Sequence, residues 1–167
     1  ALAMCENVDW NVGRLMKKLR KLGVADNTIV VFFHDNGPNG SRWNDEMRGR
    51  KGSTDEGGCR SPLLISWPGK IKPDTFVTQI ASVTDLLPTL TNMAGINLIG
   101  EKPLDGMDVS SWIADPQNEN NNRIIINAWK GKISARNQQY RLDNVGRLYD
   151  ITKDPRQDKN IIDQQPE

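Results

Sequence analysis

The stretch Ile29-Val30-Val31-Phe32-Phe33-His34-Asp35-Asn36-Gly37 sets an apolar, β-branched and aromatic run directly against polar residues and a glycine. Such a run reads as a short strand buried on both faces, as in a parallel sheet covered by helices. A second run, Leu63-Leu64-Ile65-Ser66-Trp67, is stopped by Pro68-Gly69 and reads as another strand. Between them lies a polar, glycine-rich connection from His34 to Pro62. Loops longer than about 12–15 residues inside a compact domain are usually functional or disordered. The chemistry of the chain is therefore sought there.

Upstream, Val8, Val12, Leu15, Leu19 and Leu22 mark one apolar stripe of a helix. Lys17, Lys18, Arg20 and Lys21 lie near its C-terminal end, where cations suit the helix dipole, and Gly23 supplies the stop. This basic run reads as a solvated helix end rather than a binding patch. The chain opens without a Met, directly into that helical pattern, as a truncated sequence would. Downstream, a helix is expected from near Asp85 to Ala94, with Thr84 as N-cap, Pro88 near its first turn and Gly95 after it. Residues 96–108 read as loop, and Asp115 to Arg123, rich in Asn, as an exposed linker. Ile124–Trp129, Ile133–Leu142 and Arg147–Ile151 then read as an antiparallel meander, and Asp154-Pro155 turns the chain into a polar tail.

Composition narrows the class. The 167 residues suit a single domain or a domain part with an appendage. Twenty-two basic against 21 acidic side chains leave a net charge of +1, which is no footprint for nucleic acid or an anionic membrane. Cys5 and Cys59 are the only cysteines, so neither a cysteine-built zinc site nor a disulfide framework is expected. No segment has the ~18 consecutive apolar residues of a membrane span, and Ala1 to Trp10 lacks the pattern of a secretory signal.

Asp35 offers a carboxylate and Asn36 an amide carbonyl at the C-terminal end of the first strand, the edge where open α/β sheets bind ligands. Both are hard oxygen donors suited to Ca²⁺ or Mg²⁺. On spacing alone, an Asp-Asn-Gly turn without a ligand fits these three residues better. The second segment is Arg48-Gly49-Arg50-Lys51-Gly52-Ser53-Thr54-Asp55-Glu56-Gly57-Gly58. Cations interleaved with glycines can present charge and backbone N–H groups to an oxyanion, although a Walker spacing is absent and a plain surface loop fits as well.

Taken together, Asp35-Asn36-Gly37-Pro38, Arg48 to Gly58, Arg60-Ser61-Pro62 and Trp67-Pro68-Gly69 resemble the sulfatase family of the alkaline-phosphatase-like superfamily. Glu6-Asn7-Val8-Asp9-Trp10-Asn11-Val12-Gly13, Thr84-Asp85-Leu86-Leu87-Pro88-Thr89-Leu90, Leu104-Asp105-Gly106-Met107-Asp108, and Leu148-Tyr149-Asp150 with Asp154-Pro155 extend the resemblance in the right order. It implies an α/β fold: part of a largely parallel sheet with flanking helices over residues 1–115, then a small antiparallel subdomain over 116–167. It implies that Asp35 and Asn36 are metal ligands, with Ca²⁺ the usual ion and Mg²⁺ possible, and that Lys51 contacts the sulfate group as catalytic and substrate-binding residue. His34 would be structural, Asp55 and Glu56 would order the loop, and Trp43, Arg48 and Arg50 would face the substrate cleft. The substrate would be a sulfated small molecule or carbohydrate, and the parent protein exported to a periplasmic, extracellular or lysosomal space.

Sulfatases use a formylglycine made from the first residue of C/S-x-P/A-x-R. Cys59-Arg60-Ser61-Pro62-Leu63 fails that pattern, having Ser61 for Pro or Ala and Leu63 for Arg, and Cys59 reads as core. The paired aspartates and the histidine expected upstream are absent as well. The resemblance thus describes the C-terminal part of a sulfatase that would need its missing N-terminal half as partner and be inactive alone. A non-catalytic binding module derived from a sulfatase, or a related phosphatase or phosphodiesterase, is the alternative.

Overall fold

The computed structural model describes residues 2–97, 100, 102–118 and 122–164. By its contacts the chain divides into Ala1–Phe32 with Leu63–Thr75, and Phe33–Pro62 with Phe76–Glu167. In the first unit, helix α1 spans Leu2–Lys21. It ends as the sequence implies. Gly23 adopts φ +69°, its N–H donates to Arg20 and the Val24 N–H reaches back to Leu19, which satisfies two terminal carbonyls. No residue of α1 is buried, and Leu15 of its apolar stripe is 65% exposed.

Strand β1 covers Val30–Phe33, helix α2 is the single turn Glu56–Cys59, and strand β2 covers Leu63–Ser66. β1 and β2 form a two-stranded sheet. Their burial is lower than the apolar runs suggest, with Leu64 60% exposed. An all-apolar run signals a demand for burial, but it carries neither the number of strands in a sheet nor their direction. The largely parallel sheet expected from the sequence is accordingly not displayed by the pairs whose register is defined, all of which are antiparallel.

Helix α3 spans Leu86–Met93 and is entered through a 3₁₀ turn at Val83–Asp85. Asp85, not Thr84, is the N-cap position of α3, and Ser82 caps the 3₁₀ turn before it: the Ser82 Oγ accepts from the Thr84 N–H, and the Asp85 carboxylate accepts from the Ser82 N–H at 2.6 Å. The same buried carboxylate accepts from the Met107 N–H and pairs with Arg123 at 2.6 Å. Helix α4, Ser110–Ala114, buries Trp112 and was not evident from the sequence. The linker expected at Asp115 to Arg123 contains residues 119–121, and the loop expected at 96–108 contains residues 98, 99 and 101; these lie outside the described residues.

The meander is as expected in type. It consists of β3 (Ile125–Trp129), β4 (Lys132–Arg136), β5 (Tyr140–Leu142) and β6 (Leu148–Asp150), hydrogen-bonded in that order and antiparallel throughout. The run read as one strand over Ile133–Leu142 is two, because Asn137 folds back and its Oδ1 caps the N–H groups of Gln139 and Tyr140. The expected polar tail is also packed down. Gln157 is 1% exposed, and the Ile161 N–H donates to the Leu148 carbonyl. Within the second unit the meander bonds directly to the loop that follows β1.

The β5–β6 turn is held by the buried Asp143 carboxylate, which accepts from the N–H groups of Val145 and Arg147 and from the Arg147 guanidinium at 2.8 Å. Burial alone would raise its pKa. The Arg147 and Val145 N–H groups and the guanidinium outweigh that and hold the carboxyl below its ordinary 3.8. A group depressed in the folded state adds stability above its unfolded value and loses it as pH falls through the folded value. Asp143→Asn should therefore flatten the loss of thermal stability below pH 3.8 relative to the unsubstituted chain, read as melting temperature against pH. Superimposable acid limbs would contradict this.

Candidate functional site

Three glycines bring the two chemically suggestive segments together. A Cβ on Gly37 would run into the Gly57 carbonyl oxygen. One on Gly58 would lie 2.8 Å from the Arg50 carbonyl oxygen, and one on Gly57 would lie 2.7 Å from the Met47 and 2.8 Å from the Gly49 carbonyl oxygens. With no side chains in the way, the backbones bond. The Gly37 N–H donates to Gly58 and the Lys51 N–H donates to the Pro38 carbonyl, each at 3.0 Å. The His34 N–H donates to Pro62, and the Ser61 hydroxyl returns a bond to the His34 carbonyl at 2.7 Å. Asp35 and Asn36 thus leave β1 on a turn laced to the loop that carries Lys51.

That loop is fixed from the meander side by a buried ion pair. The Glu56 Oε2 accepts from Arg141 Nη2 at 2.9 Å and from Arg136 Nε at 3.1 Å, and Glu56 and Arg141 are each 1% exposed. Arg141 Nη1 and the Ser134 hydroxyl both donate to the Thr54 carbonyl at 2.7 Å. The Gln157 Oε1 accepts from the Glu56 N–H, and the Arg48 N–H donates to the Pro155 carbonyl. Arg48 is further occupied by the Gln157 carbonyl at 3.1 Å and by Asp55 at 4.0 Å. Glu56 is consequently a structural carboxylate, and no acid/base pair with Asp55 is available. Arg48 holds the loop rather than facing a cleft, whereas Trp43 and Arg50 are exposed. Burial pushes the Cys59 thiol up, against the pull of Arg141. A raised thiol is a poor nucleophile.

The remaining candidates are uncommitted. The side chains of Asp35, Asn36 and Lys51 form no hydrogen bond or ion pair among the described residues; Asp35 and Lys51 are exposed and Asn36 half-buried. A carboxylate and an amide oxygen on consecutive residues, otherwise unsatisfied, fit the chemistry of a hard divalent cation. They provide only two ligands, and among the described residues no three His, Cys, Asp or Glu side chains gather around one point. His34 is exposed at the strand end and is engaged through its backbone. Arg136, Arg141 and Gln157 were missed by sequence reasoning. The single trace of their neighbourhood was the Leu148-Tyr149-Asp150 and Asp154-Pro155 pattern, of which Pro155 and Tyr149 do touch Arg48.

The fold is α/β with antiparallel pairing in its defined registers, and the comparisons with known proteins give its family. The Sulfatase family model matches residues 2–96. Mouse steryl-sulfatase is 39% identical over 114 residues, covering 62% of this chain and 18% of that protein. A sulfatase of Formosa agariphila is 30% identical over 195 residues, covering 98% of this chain and 35% of that protein. Among solved structures, a sulfatase from Pseudoalteromonas sp. superposes with a TM-score of 0.77 at 24% identity, over 92% of this chain and 36% of that one. The chain belongs to the sulfatase family. It spans less than half the length of each of these proteins.

Two predictions test the scaffold. Arg141→Ala leaves the Glu56 carboxylate buried beside fewer partners, and breaking such a pair costs about 3–5 kcal/mol; denaturant unfolding should show a loss of that order. Gly57→Ala forces a methyl group onto carbonyl oxygens that cannot move away independently, and overpacking of this kind costs about 1–3 kcal/mol. Gly13→Ala on α1, with nothing within 4 Å of the new Cβ, should instead gain about 0.5–1 kcal/mol. Equal effects of the two alanines on the unfolding midpoint would contradict the close-packed loop.

Proposed function

We propose that this chain supplies part of the metal and sulfate site of a sulfate-ester hydrolase, with Asp35 and Asn36 as oxygen ligands to Ca²⁺ (Mg²⁺ the substitute) and Lys51 as the cation on the sulfate group. The observation that carries the reading is the lacing of the two segments: Lys51 N–H to Pro38 carbonyl and Gly37 N–H to Gly58 carbonyl. It joins, on one rigid loop, two oxygen donors and an ammonium that nothing else in the described chain engages.

The chemistry suits these residues. A sulfate monoester spreads negative charge over its non-bridging oxygens, and cleavage shifts charge toward the leaving oxygen. A bound divalent cation would polarise the ester, and fixed cations are most effective where charge develops. Lysine acts as a movable point charge, able to follow the oxygens, where a planar guanidinium would fix one bidentate geometry. Ca²⁺ takes about six to eight oxygens, so Asp35 and Asn36 alone hold it weakly. A formylglycine would be the nucleophile of the whole enzyme, and the 167 residues contain no C/S-x-P/A-x-R motif from which to make it. The isolated segment is accordingly inactive in this reading, and its substrate class is a sulfated small molecule or carbohydrate met after export.

Calorimetric titration of Ca²⁺ and inorganic sulfate into the pure chain, beside Asp35→Ala and Lys51→Ala, tests it. Weak binding is expected, with the Ca²⁺ heat lost in Asp35→Ala and the sulfate heat lost in Lys51→Ala. Tight binding of both would favour a self-sufficient, non-catalytic binding module. Binding indifferent to both substitutions would sink the assignment.

A further inference from the structure

The loop and strand β4 run side by side with a matched two-residue step. Glu56 meets Arg136, Thr54 meets Ser134, and two residues further on Gly52 meets the hairpin end, where the Trp129 Nε1 lies 3.6 Å from the position a Gly52 Cβ would take. The register pairs Trp129 with Lys132, Asn127 with Ser134 and Ile125 with Arg136. Directly paired residues of an antiparallel ladder point to one face, so Trp129 and Lys132 share the face that covers the loop. Gly52 follows Lys51. The indole of Trp129 is therefore held against the residue that follows the proposed sulfate lysine, yet it is 52% exposed.

Its surroundings are cationic. Lys130 places its ammonium 5.7 Å from the centre of the Trp129 ring. Lys130 and Gly131 both have positive φ, +47° and +77°, which makes the tight two-residue turn that suits a twisted hairpin. Left-handed backbone at a lysine is uncommon, and here it sets the Lys130 side chain over the indole. Lys132 is also exposed. No acidic side chain forms an ion pair with Lys51, Lys130 or Lys132 among the described residues.

An exposed indole flanked by ammonium groups that form no ion pair among the described residues is a surface for a ring that carries anionic groups. We propose that Trp129, with Lys130 and Lys132, forms the specificity platform for the leaving group: a ring that stacks on the indole and bears a second anionic group beside its sulfate ester. This rests on Lys51 being the sulfate-binding cation. It adds that the meander, not only the loop after β1, selects the substrate, and that the substrate is a polyanionic ring compound such as a multiply sulfated sugar.

The test is a titration of the ¹⁵N-labelled chain followed by NMR, with inorganic sulfate and with glucosamine carrying both N- and O-sulfate groups as the two probes. The other four indoles, of Trp10, Trp43, Trp67 and Trp112, are internal controls, and Trp129→Phe assigns the Trp129 signal. The disulfated sugar should shift the Trp129 indole N–H selectively. Its affinity should fall about tenfold in Trp129→Ala and be largely kept in Trp129→Phe, as for loss of one stacking contact. Inorganic sulfate should bind the unsubstituted chain and Trp129→Ala alike, and be lost in Lys51→Ala. An unmoved Trp129 signal, or equal sugar affinity in Trp129→Ala, overturns the platform while leaving the Lys51 assignment standing. Sulfate binding that ignores Lys51→Ala, or its absence from the unsubstituted chain, overturns the Lys51 assignment and the platform with it.

Discussion

The second unit depends on one carboxylate. Glu56 sits 1% exposed with its Oε2 shared by Arg141 and Arg136, and Arg141 spends its remaining donors on the Thr54 carbonyl and the Ser134 hydroxyl. Inside a protein such a network is worth most when every member is present, because the low dielectric that strengthens each bond also penalises any group left alone. Burial itself lowers the pKa of Arg136, and the nearby Glu56 carboxylate works against that shift. The pairing spans 85 residues between Glu56 and Arg141. It is what makes a long, glycine-rich connection into a fixed element, since the loop's own regular structure is the single turn of α2.

A fixed loop has a chemical use. Glu56, Thr54, Gln157 and Arg141, which hold it, are buried, while the side chains of Asp35, Asn36 and Lys51 form no hydrogen bond or ion pair among the described residues. Holding uncommitted donors and cations in place before a ligand arrives avoids the ordering cost that a floppy loop would bring to binding. The glycines serve the same end by a different route. At Gly37, Gly57 and Gly58 the absent Cβ lets three backbone runs approach to hydrogen-bonding distance, which no amount of side-chain pairing could produce.

How much of this was legible in the sequence follows from the range of each interaction. The α1 stripe and its Gly23 stop, strands β1 and β2 within a residue of their ends, and the antiparallel meander are local patterns, and the sequence displays them. Asp35, Asn36 and Lys51 stood out through their motif, but the backbone bonds that join their two segments at Gly37, Gly57 and Gly58 were not read from the glycines. The resemblance implied that Glu56 orders the loop, but the partners through which it does so were not legible. Arg136 and Arg141 look like ordinary polar positions on an exposed-faced strand, and nothing near them in the sequence names a partner 80 or 85 residues away. The Ser82 cap of the 3₁₀ turn was passed over for Thr84 because both are hydroxyl residues ahead of the same helix; only the Asp85 carboxylate reaching back to the Ser82 N–H decides between them. The Gln157 side chain, read as part of a polar tail, is buried because it satisfies the Glu56 N–H.

The two-residue step shared by β4 and the loop has a consequence for how such a site can vary. A one-residue slip of β4 would turn Arg136 and Ser134 to the opposite face and strand the Glu56 carboxylate, so the buried end of the ladder pins the register for the whole hairpin. The open end, at Trp129 to Lys132, inherits its position from that anchor but contributes little to it: Trp129 and Lys130 are exposed and make no bond on which the loop depends. Side chains at the tip can therefore be exchanged without releasing the register, and each exchange changes what is presented against Gly52, the residue after Lys51. Scaffold and selectivity are separated along one strand, with the ion pair at one end fixing where the other end points.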